Sequence, residues 1–307
     1  MERVIFHVDV NSAFLSWSAV KRLREDENAL DLRSVPSVVC GDVESRHGIV
    51  TAKSIPAKKF GIETAEPVMS ALRKCPDLIL VKSDFTVYRE YSHAFIEVLK
   101  KYSPLVEQVS IDEAYLDVTG TEALYKHLET KEYKFPLSLA MTIKNEIRDT
   151  LGFTVNVGVA ENKLLAKTAS DFSKPDKVHT LYKEEIPLKF WPMQIGAMHG
   201  CGKQTAARLN SLGIRTIGDA AHMDRKILKL HLGDKAGDYI WYSANGISKS
   251  EVQAEDGEVK SVSNEITTSP DITGDNYKTE AYPILRTLSD SVGKRLRKKG
   301  EFYVLSP

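Results

Sequence analysis

The sequence predicts an α+β protein built on a ferredoxin-like βαββαβ sheet, with an insertion after the first strand and a mainly helical C-terminal half. Three observations predict it. Val4, Phe6, Val8 and Val10 alternate with Ile5, His7 and Asp9, the period of a strand with two distinct faces. The apolar runs Leu105 to Val109 and Ala114 to Val118 flank an acidic interruption, as two strands of a hairpin do. Phe153, Val155, Val157 and Val159 alternate again, after a helical stretch and before another.

Taken in order, the first strand leads into a helical pattern through Phe14, Trp17 and Val20 that ends in the charged run Lys21 to Glu27. Ser37 to Cys40 and Gly48 to Ala52 read as short strands separated by a polar turn, and Pro56, Gly61 and Pro67 punctuate the next stretch. Phe85 to Tyr102 is an amphipathic helix with Phe95, Val98 and Leu99 on its apolar side, and Pro104 comes just after its end. After the hairpin, Leu137 to Leu151 is helical and stops at Gly152; the last strand of the sheet and a helix from about Asn162 to Ser170 come next. From Leu181 the texture changes to short helices with Gly and Pro punctuation. Ser248 to Lys260 is polar and acidic, the composition of a linker, and a strand-plus-helix unit spans Ser261 to Lys299.

Composition narrows the function classes. The 307 residues carry equal numbers of acidic and basic side chains, 42 of each, which argues against a uniformly basic coat but leaves room for a local basic groove. Three widely spaced cysteines, Cys40, Cys75 and Cys201, form neither a disulfide framework nor a zinc motif and point to a reducing, cytoplasmic setting. No apolar run reaches transmembrane length, so no membrane role is expected.

The chemistry concentrates in carboxylates. Asp9 interrupts an apolar strand, and Asp112-Glu113 sits at the turn of a hairpin that lies beside that strand in a ferredoxin-like sheet. An Asp-Glu pair at a turn is ordinarily solvent-facing punctuation. Three carboxylates brought to one sheet end instead repel unless cations intervene, and hard divalent ions with oxygen ligands are the natural partners.

The segments around these residues carry a specific resemblance. His7-Val8-Asp9-Val10-Asn11-Ser12-Ala13-Phe14 and Ser110-Ile111-Asp112-Glu113-Ala114-Tyr115-Leu116-Asp117 resemble the two catalytic motifs of the Y-family, lesion-bypass DNA polymerases, the DNA polymerase IV (DinB)/UmuC-like group. Pro56-Ala57-Lys58-Lys59-Phe60-Gly61, Asn156 to Lys163 and Lys174-Pro175 match further motifs in the family's order. The resemblance implies a right-hand polymerase: a palm formed by residues 1–10 and 82–181, a small fingers insertion at 11–81, a helical thumb with a helix-hairpin-helix motif at 182–247, a linker at 248–260 and a partial little finger at 261–307. It implies that Asp9 and Asp112 bridge two Mg²⁺ ions (Mn²⁺ as a substitute), with Glu113 on the catalytic ion and the Val10 carbonyl completing the nucleotide-side ion. It further implies template-directed transfer of a dNTP to a primer 3′-hydroxyl, with release of pyrophosphate, in translesion synthesis and DNA repair.

Phe14 falls at the family's steric gate, where a ring beneath the incoming sugar excludes a 2′-hydroxyl. Lys58 and Lys174 match triphosphate-holding positions, whose point charges suit phosphate oxygens. The pattern departs from many relatives at two places: Ile55 stands where a Tyr is common, and Lys58 where an Arg is common. Neither a phenol donor nor a bidentate fork is then available. Either the triphosphate is held less rigidly or another group compensates, and Ser54 or Thr51 could supply a hydroxyl. Small residues at Ser12, Ala13 and Ser54 imply a roomy pocket and low fidelity.

For DNA, His199-Gly200-Cys201-Gly202-Lys203 through Ile214 resembles a helix-hairpin-helix motif, with Gly200 and Gly202 admitting a phosphate to the backbone and Lys203 beside it. Lys294, Arg295 and Arg297 cluster at the end of the last helix, as a second phosphate contact. Primer–template DNA and dNTP are the expected partners. The family's sliding clamp is a partner for which no clamp-binding motif is read here, and the partial little finger implies low processivity. Two other readings stay open on sequence: a catalytically weak DNA-binding or regulatory remnant, motivated by Ile55, and a palm-type nucleotide cyclase sharing the two-metal carboxylates.

Overall fold

In the computed structural model, residues 3–41, 48–254, 261–268 and 271–298 are described. The chain divides into two compact units, Met1–Ala254 and Glu255–Pro307.

The first unit opens with β1 (Ile5–Val10), whose six residues are all buried because both faces are covered. Ser12 adopts a left-handed backbone, φ 47°, which turns the chain sharply into α1 (Ala13–Glu25). The insertion then forms β2 (Ser37–Cys40), β3 (Val50–Lys53), α2 (Ile55–Lys59), α3 (Val68–Lys74) and β4 (Ile79–Lys82). These strands make a three-stranded sheet in the order β3-β2-β4, with β2 and β4 parallel. Their own small core comprises Val38, Val50, Ala57, Ile62, Ala71, Cys75 and Leu78. Both helices and β4 escape the sequence reading; the helices, of five and seven residues, are too brief to establish a helical period.

The chain returns through α4 (Phe85–Lys100), the hairpin β5 (Val106–Gln108) and β6 (Glu113–Asp117), α5 (Glu122–Tyr125) and α6 (Leu137–Glu146). A π-helical turn extends α6 to Leu151, and Gly152 ends it at φ 83°. Next come β7 (Val155–Ala160), α7 (Lys163–Ser170) and the short β8 (Val178–Thr180). The main sheet has the order β5-β6-β1-β7-β8. Each neighbouring pair among β5, β6, β1 and β7 is antiparallel, which is the ferredoxin-like arrangement, and β8 adds a parallel edge. Phe6, Val8 and Val10 face the larger core with Trp17, Phe95, Leu99, Ile143 and Phe153. Ile5 faces the other core, shared with α7 and the helices after it.

That second layer is α8 (Lys203–Ser211), α9 (Ile217–His222), α10 (Arg225–Leu232) and α11 (Asp234–Ala244). The first unit includes residues 248–254 of the expected linker: Gln253 donates its backbone N–H to Glu107 at 2.8 Å, and Val252 is buried in the second core.

The second unit contains α12 (Tyr277–Lys298). The strand expected from Ser261 is corrected: residues 261–268 form none. A strand needs a ladder partner, and this segment is tied to α12 by side chains, with Arg295 donating to the Ser263 carbonyl at 2.7 Å and Asn264 to Ser291 at 3.1 Å. Lys299, and the apolar run Phe302 to Leu305 that reads from sequence as a second strand of this unit, lie outside the described residues.

Candidate active site

The ladder around β1 brings the chemistry together. Asp9 pairs across the sheet with Glu113 on β6 and with Asn156 on β7, and Val10 donates its N–H to the Asp112 carbonyl at 3.0 Å. Asp9 and Glu113 therefore meet as direct cross-strand neighbours, and Asp112 is held beside the end of the same strand. The alternation of β1 also puts His7 on the face of Asp9, and His7 Nε2 lies 3.2 Å from Glu113 Oε2.

Two lysines from beyond the sheet complete the cluster. Lys167 on α7 places its Nζ 3.1 Å from Glu113 Oε2 and 3.5 Å from Asp9 Oδ2. Lys174 reaches Asp9 Oδ1 at 2.5 Å and Asp171 Oδ1 at 2.9 Å. Among the described residues no three His, Cys, Asp or Glu side chains form a finished metal cage, because Asp9 and Glu113 are turned to these ammonium groups. The Asp9 carboxylate nevertheless already attracts two cations into a partly enclosed site, the donor chemistry a hard metal ion requires.

Electrostatics separates Glu113 from Asp112. Donation from His7 holds Glu113 down at about 2, with burial opposing and the Lys167 charge assisting. Burial pushes His7 down, so at neutral pH it acts on Glu113 through an N–H rather than a charge. Ser170 Oγ lies 2.8 Å from both His7 Nδ1 and the Lys167 carbonyl; its single proton serves the imidazole when Nε2 donates to Glu113. Asp112 is pushed up by burial, against donation from Ser110 at 2.7 Å, with the charges of Asp9 and Glu113 adding to the rise. Burial works against the charge of Lys167 and Lys174, yet Asp9 and its neighbours hold both above the ordinary lysine value.

Beside the carboxylates lies a pocket of about 680 Å³ between the main sheet and the insertion. Its lining contains Asp9, Val10, Phe14, Ser54, Lys58, Asp112 and Lys174, so the predicted site residues other than Glu113 and the DNA contacts share one cavity. Phe14 stacks on Tyr88, ring centroids 4.7 Å apart at 20°, and abuts Phe85 and Trp17 edgewise or tilted at 6.0 Å. That packing fixes the ring at the pocket wall.

The hydroxyl expected to compensate for Ile55 is not free. Ser54 Oγ donates to the Val35 carbonyl at 2.7 Å and accepts from the backbone of Ala57 and Ser37, serving as the N-cap of α2. Thr51 likewise donates to the Val39 carbonyl at 3.0 Å. Ser54 thus borders the pocket while its only proton belongs to the fold. The additional cations in the lining are Lys53 and Arg33, the latter paired with Asp31 at 2.9 Å.

The two glycines of the helix-hairpin-helix segment differ. Gly200 has φ 80°, and a Cβ there would meet Tyr239 Oη at 2.4 Å; internal packing requires it. Gly202 has nothing within 4 Å of a built Cβ and caps α8 without a side-chain acceptor, so it is the position open to a ligand, with exposed Lys203 next to it. On α12, Lys294 and Arg297 are exposed, whereas Arg295 is engaged by Ser263.

Sequence reasoning missed His7, Asn156 and Lys167 as members of the cluster. The signal for His7 was present, since it shares the period-two face of Asp9. Lys167 gave none, because only the packing of α7 on the sheet shows where it points.

Known proteins resemble the chain over most of its length. Residues 8–171 match the model of the impB/mucB/samB family. The chain is similar to a protein named DNA polymerase IV from Clostridium acetobutylicum, 45% identical over 302 residues, which cover 98% of this chain and 73% of that one. It is 40% identical over 300 residues to DNA polymerase IV 1 of Bacillus subtilis, covering 97% and 67%. Among solved structures, DinB from Sulfolobus solfataricus matches with a TM-score of 0.69 and 28% identity over 82% of this chain and 69% of that one. A Dbh ternary complex matches at 0.67 and 29%, covering 80% and 68%.

Proposed function

This chain belongs to the impB/mucB/samB family of Y-family DNA polymerases, and we propose that its 680 Å³ pocket binds a dNTP for transfer to a primer 3′-hydroxyl opposite a DNA template. The observation that carries the reading is the convergence of three carboxylates at one sheet end, Asp9 with Glu113 through the β1–β6 ladder and Asp112 through its bond to Val10, with Asp9, Asp112, Lys58 and Lys174 lining one cavity. Asp9, Asp112 and Glu113 with the Val10 carbonyl would hold two Mg²⁺ ions, for which Mn²⁺ substitutes. When bound, the ions supply neutralisation of the phosphates and activation of the 3′-hydroxyl.

The chain's own residues do the positioning. Phe14, immobilised by Tyr88, bounds the sugar and excludes a 2′-hydroxyl. Lys174 releases Asp9 and takes triphosphate oxygens, so that its charge passes from carboxylate to substrate. Lys58 supplies a second point charge, and Lys53 a third where the common Tyr and Arg donors are missing. Attack at the α-phosphate then needs orientation and charge stabilisation, with no covalent intermediate on the protein. Gly202 and Lys203, and separately Lys294 and Arg297, would hold phosphates without reading sequence, which their exposure supports. Within this reading the domains are a palm at 1–10 and 82–181, fingers at 11–81, a thumb at 182–247, a linker at 248–260 and little-finger residues at 261–307, and the setting is cytoplasmic. No helix of the described residues is long and apolar enough to cross a membrane.

Primer extension with the wild type and Asp112→Asn tests the assignment. The variant is expected to lose at least about 100-fold in kcat, as removal of a charge-stabilising group does. Undiminished extension by the variant would remove Asp112 from the chemistry. Turnover of free nucleotide without DNA would favour a cyclase.

A further inference from the structure

The segment between α7 and β8 carries Lys174 but has no regular secondary structure of its own. A lysine side chain has a flexible four-carbon stem, so a phosphate grip there needs a fixed backbone beneath it. One buried carboxamide supplies three of the ties that fix it, beside the backbone bond from Val157 to the Lys177 carbonyl at 2.9 Å. Asn156, wholly buried on β7 opposite Asp9, donates to the Ser170 carbonyl at 3.0 Å and to the Ser173 carbonyl at 2.6 Å. Its Oδ1 accepts from the Lys177 backbone at 3.2 Å and from Asn11 Nδ2 at 3.2 Å. Two donors and two lone pairs are all used.

Asn11 extends the same anchor. Its Oδ1 accepts from the Asp176 backbone at 3.0 Å and from Thr154 Oγ1 at 2.9 Å. Asp176 sits at φ 58°, a left-handed conformation unfavourable for a residue with a side chain, and Lys144, itself buried, binds its carboxylate at 2.8 Å. The segment is thus tied on both sides of Lys174, at Ser170 and Ser173 before it and at Asp176 and Lys177 after it. The carboxamide ties lead back to β7, which carries Asn156, and to Asn11, the residue that follows β1; the Lys144 tie comes from α6.

We propose that Asn156 is a positioning residue for the incoming nucleotide: it pins residues 170–177 to β7 so that the Lys174 ammonium is delivered to the triphosphate beside Asp9. This rests on the reading of Lys174 as a triphosphate group. Asn156 touches no substrate and acts through the backbone it holds. Replacing it frees the backbone under Lys174 while leaving Asp9, Asp112 and Glu113 on their strands.

The test is steady-state single-nucleotide insertion with Asn156→Ala, Lys174→Ala and the double variant, together with thermal melts and primer–template affinity. Asn156→Ala is expected to raise KM for dNTP about tenfold, with a smaller change in kcat and unchanged DNA affinity. The double variant should be no worse than Lys174→Ala alone, since an anchor without its lysine has nothing to position. If Lys174→Ala alters KM but Asn156→Ala does not, or if the two effects multiply, the proposal fails while the reading of Lys174 stands. If Lys174→Ala leaves KM unchanged, the reading fails and takes the proposal with it. Should Asn156→Ala not fold, Asn11→Ala, which cuts the same anchor at Asp176 and at Asn156 Oδ1, is judged by the same outcomes.

Discussion

Gly158→Ala is the perturbation whose consequence is most directly fixed by geometry. Gly158 lies on β7 opposite His7, and its backbone is not in the left-handed region, so the constraint is steric. A Cβ there would stand 1.9 Å from the Ala166 carbonyl oxygen and 2.5 Å from the Ser170 nitrogen. The first approach is about 1.5 Å inside ordinary van der Waals contact. Both obstacles are α7 backbone, which cannot rotate aside, so the helix itself must move by on the order of 1 Å. Overpacking of this kind costs about 1–3 kcal/mol, a fall of several degrees in melting temperature for a unit of this size. Function should fall further than stability. Lys167 and Ser170 ride on α7, at 3.1 Å from Glu113 and 2.8 Å from His7, and a 1 Å displacement takes both beyond about 3.5 Å, the limit of a hydrogen bond. A misplacement of that size at a reacting centre costs about 100-fold in kcat/KM. Circular-dichroism melts and primer extension on the same preparation measure both. A variant that melts within about 1 °C of wild type and extends primers within about twofold would refute the inference that close approach of α7 organises the site.

Much of this arrangement is legible in the sequence, and the part that is not obeys a physical rule. The strand alternations give the βαββαβ sheet, and the faces they assign to β1 are those observed, with Phe6, Val8 and Val10 in one core and Ile5 in the other. The adjacency of Asp9 to the Asp112-Glu113 hairpin is a consequence of the topology, since β1 lies between β6 and β7. Contacts that depend on how closely one layer packs on another leave no periodic trace. Lys167 reads as an ordinary lysine on an amphipathic helix, and only the missing side chain at Gly158 lets it approach Glu113. The hydroxyls of Ser54 and Thr51 show the converse limit: residue type announces a donor but not that Val35 and Val39 already take its proton. Strand expectation at residues 261–268 failed for a related reason: a β-like composition forms a strand only beside a ladder partner, and no described residue pairs with this segment.

The same geometry fixes two further outcomes. Phe14→Ala removes the ring fixed on Tyr88 and should raise ribonucleotide incorporation relative to deoxyribonucleotide by at least about tenfold in a competitive insertion assay. An unchanged ratio would exclude Phe14 as the gate. Acid stability tests the His7–Glu113 pair. Glu113 is held at about 2 in the folded protein, against 4.5 for a free glutamate. Because the folded value is the lower one, its contribution to stability is complete above 4.5 and is lost as pH falls through about 2. The shift corresponds to at most about 3 kcal/mol, less solvent screening of a side chain that is one-quarter exposed. Urea unfolding in metal-free buffer between about pH 6 and pH 2.5 should therefore show wild type losing more stability than Glu113→Gln, which has no proton to gain. His7→Leu should narrow that difference, since it deletes the donor that favours the carboxylate. Equal losses in wild type and Glu113→Gln would show that the carboxylate gains nothing from His7 and Lys167, and the electrostatic account of the cluster would fall with it.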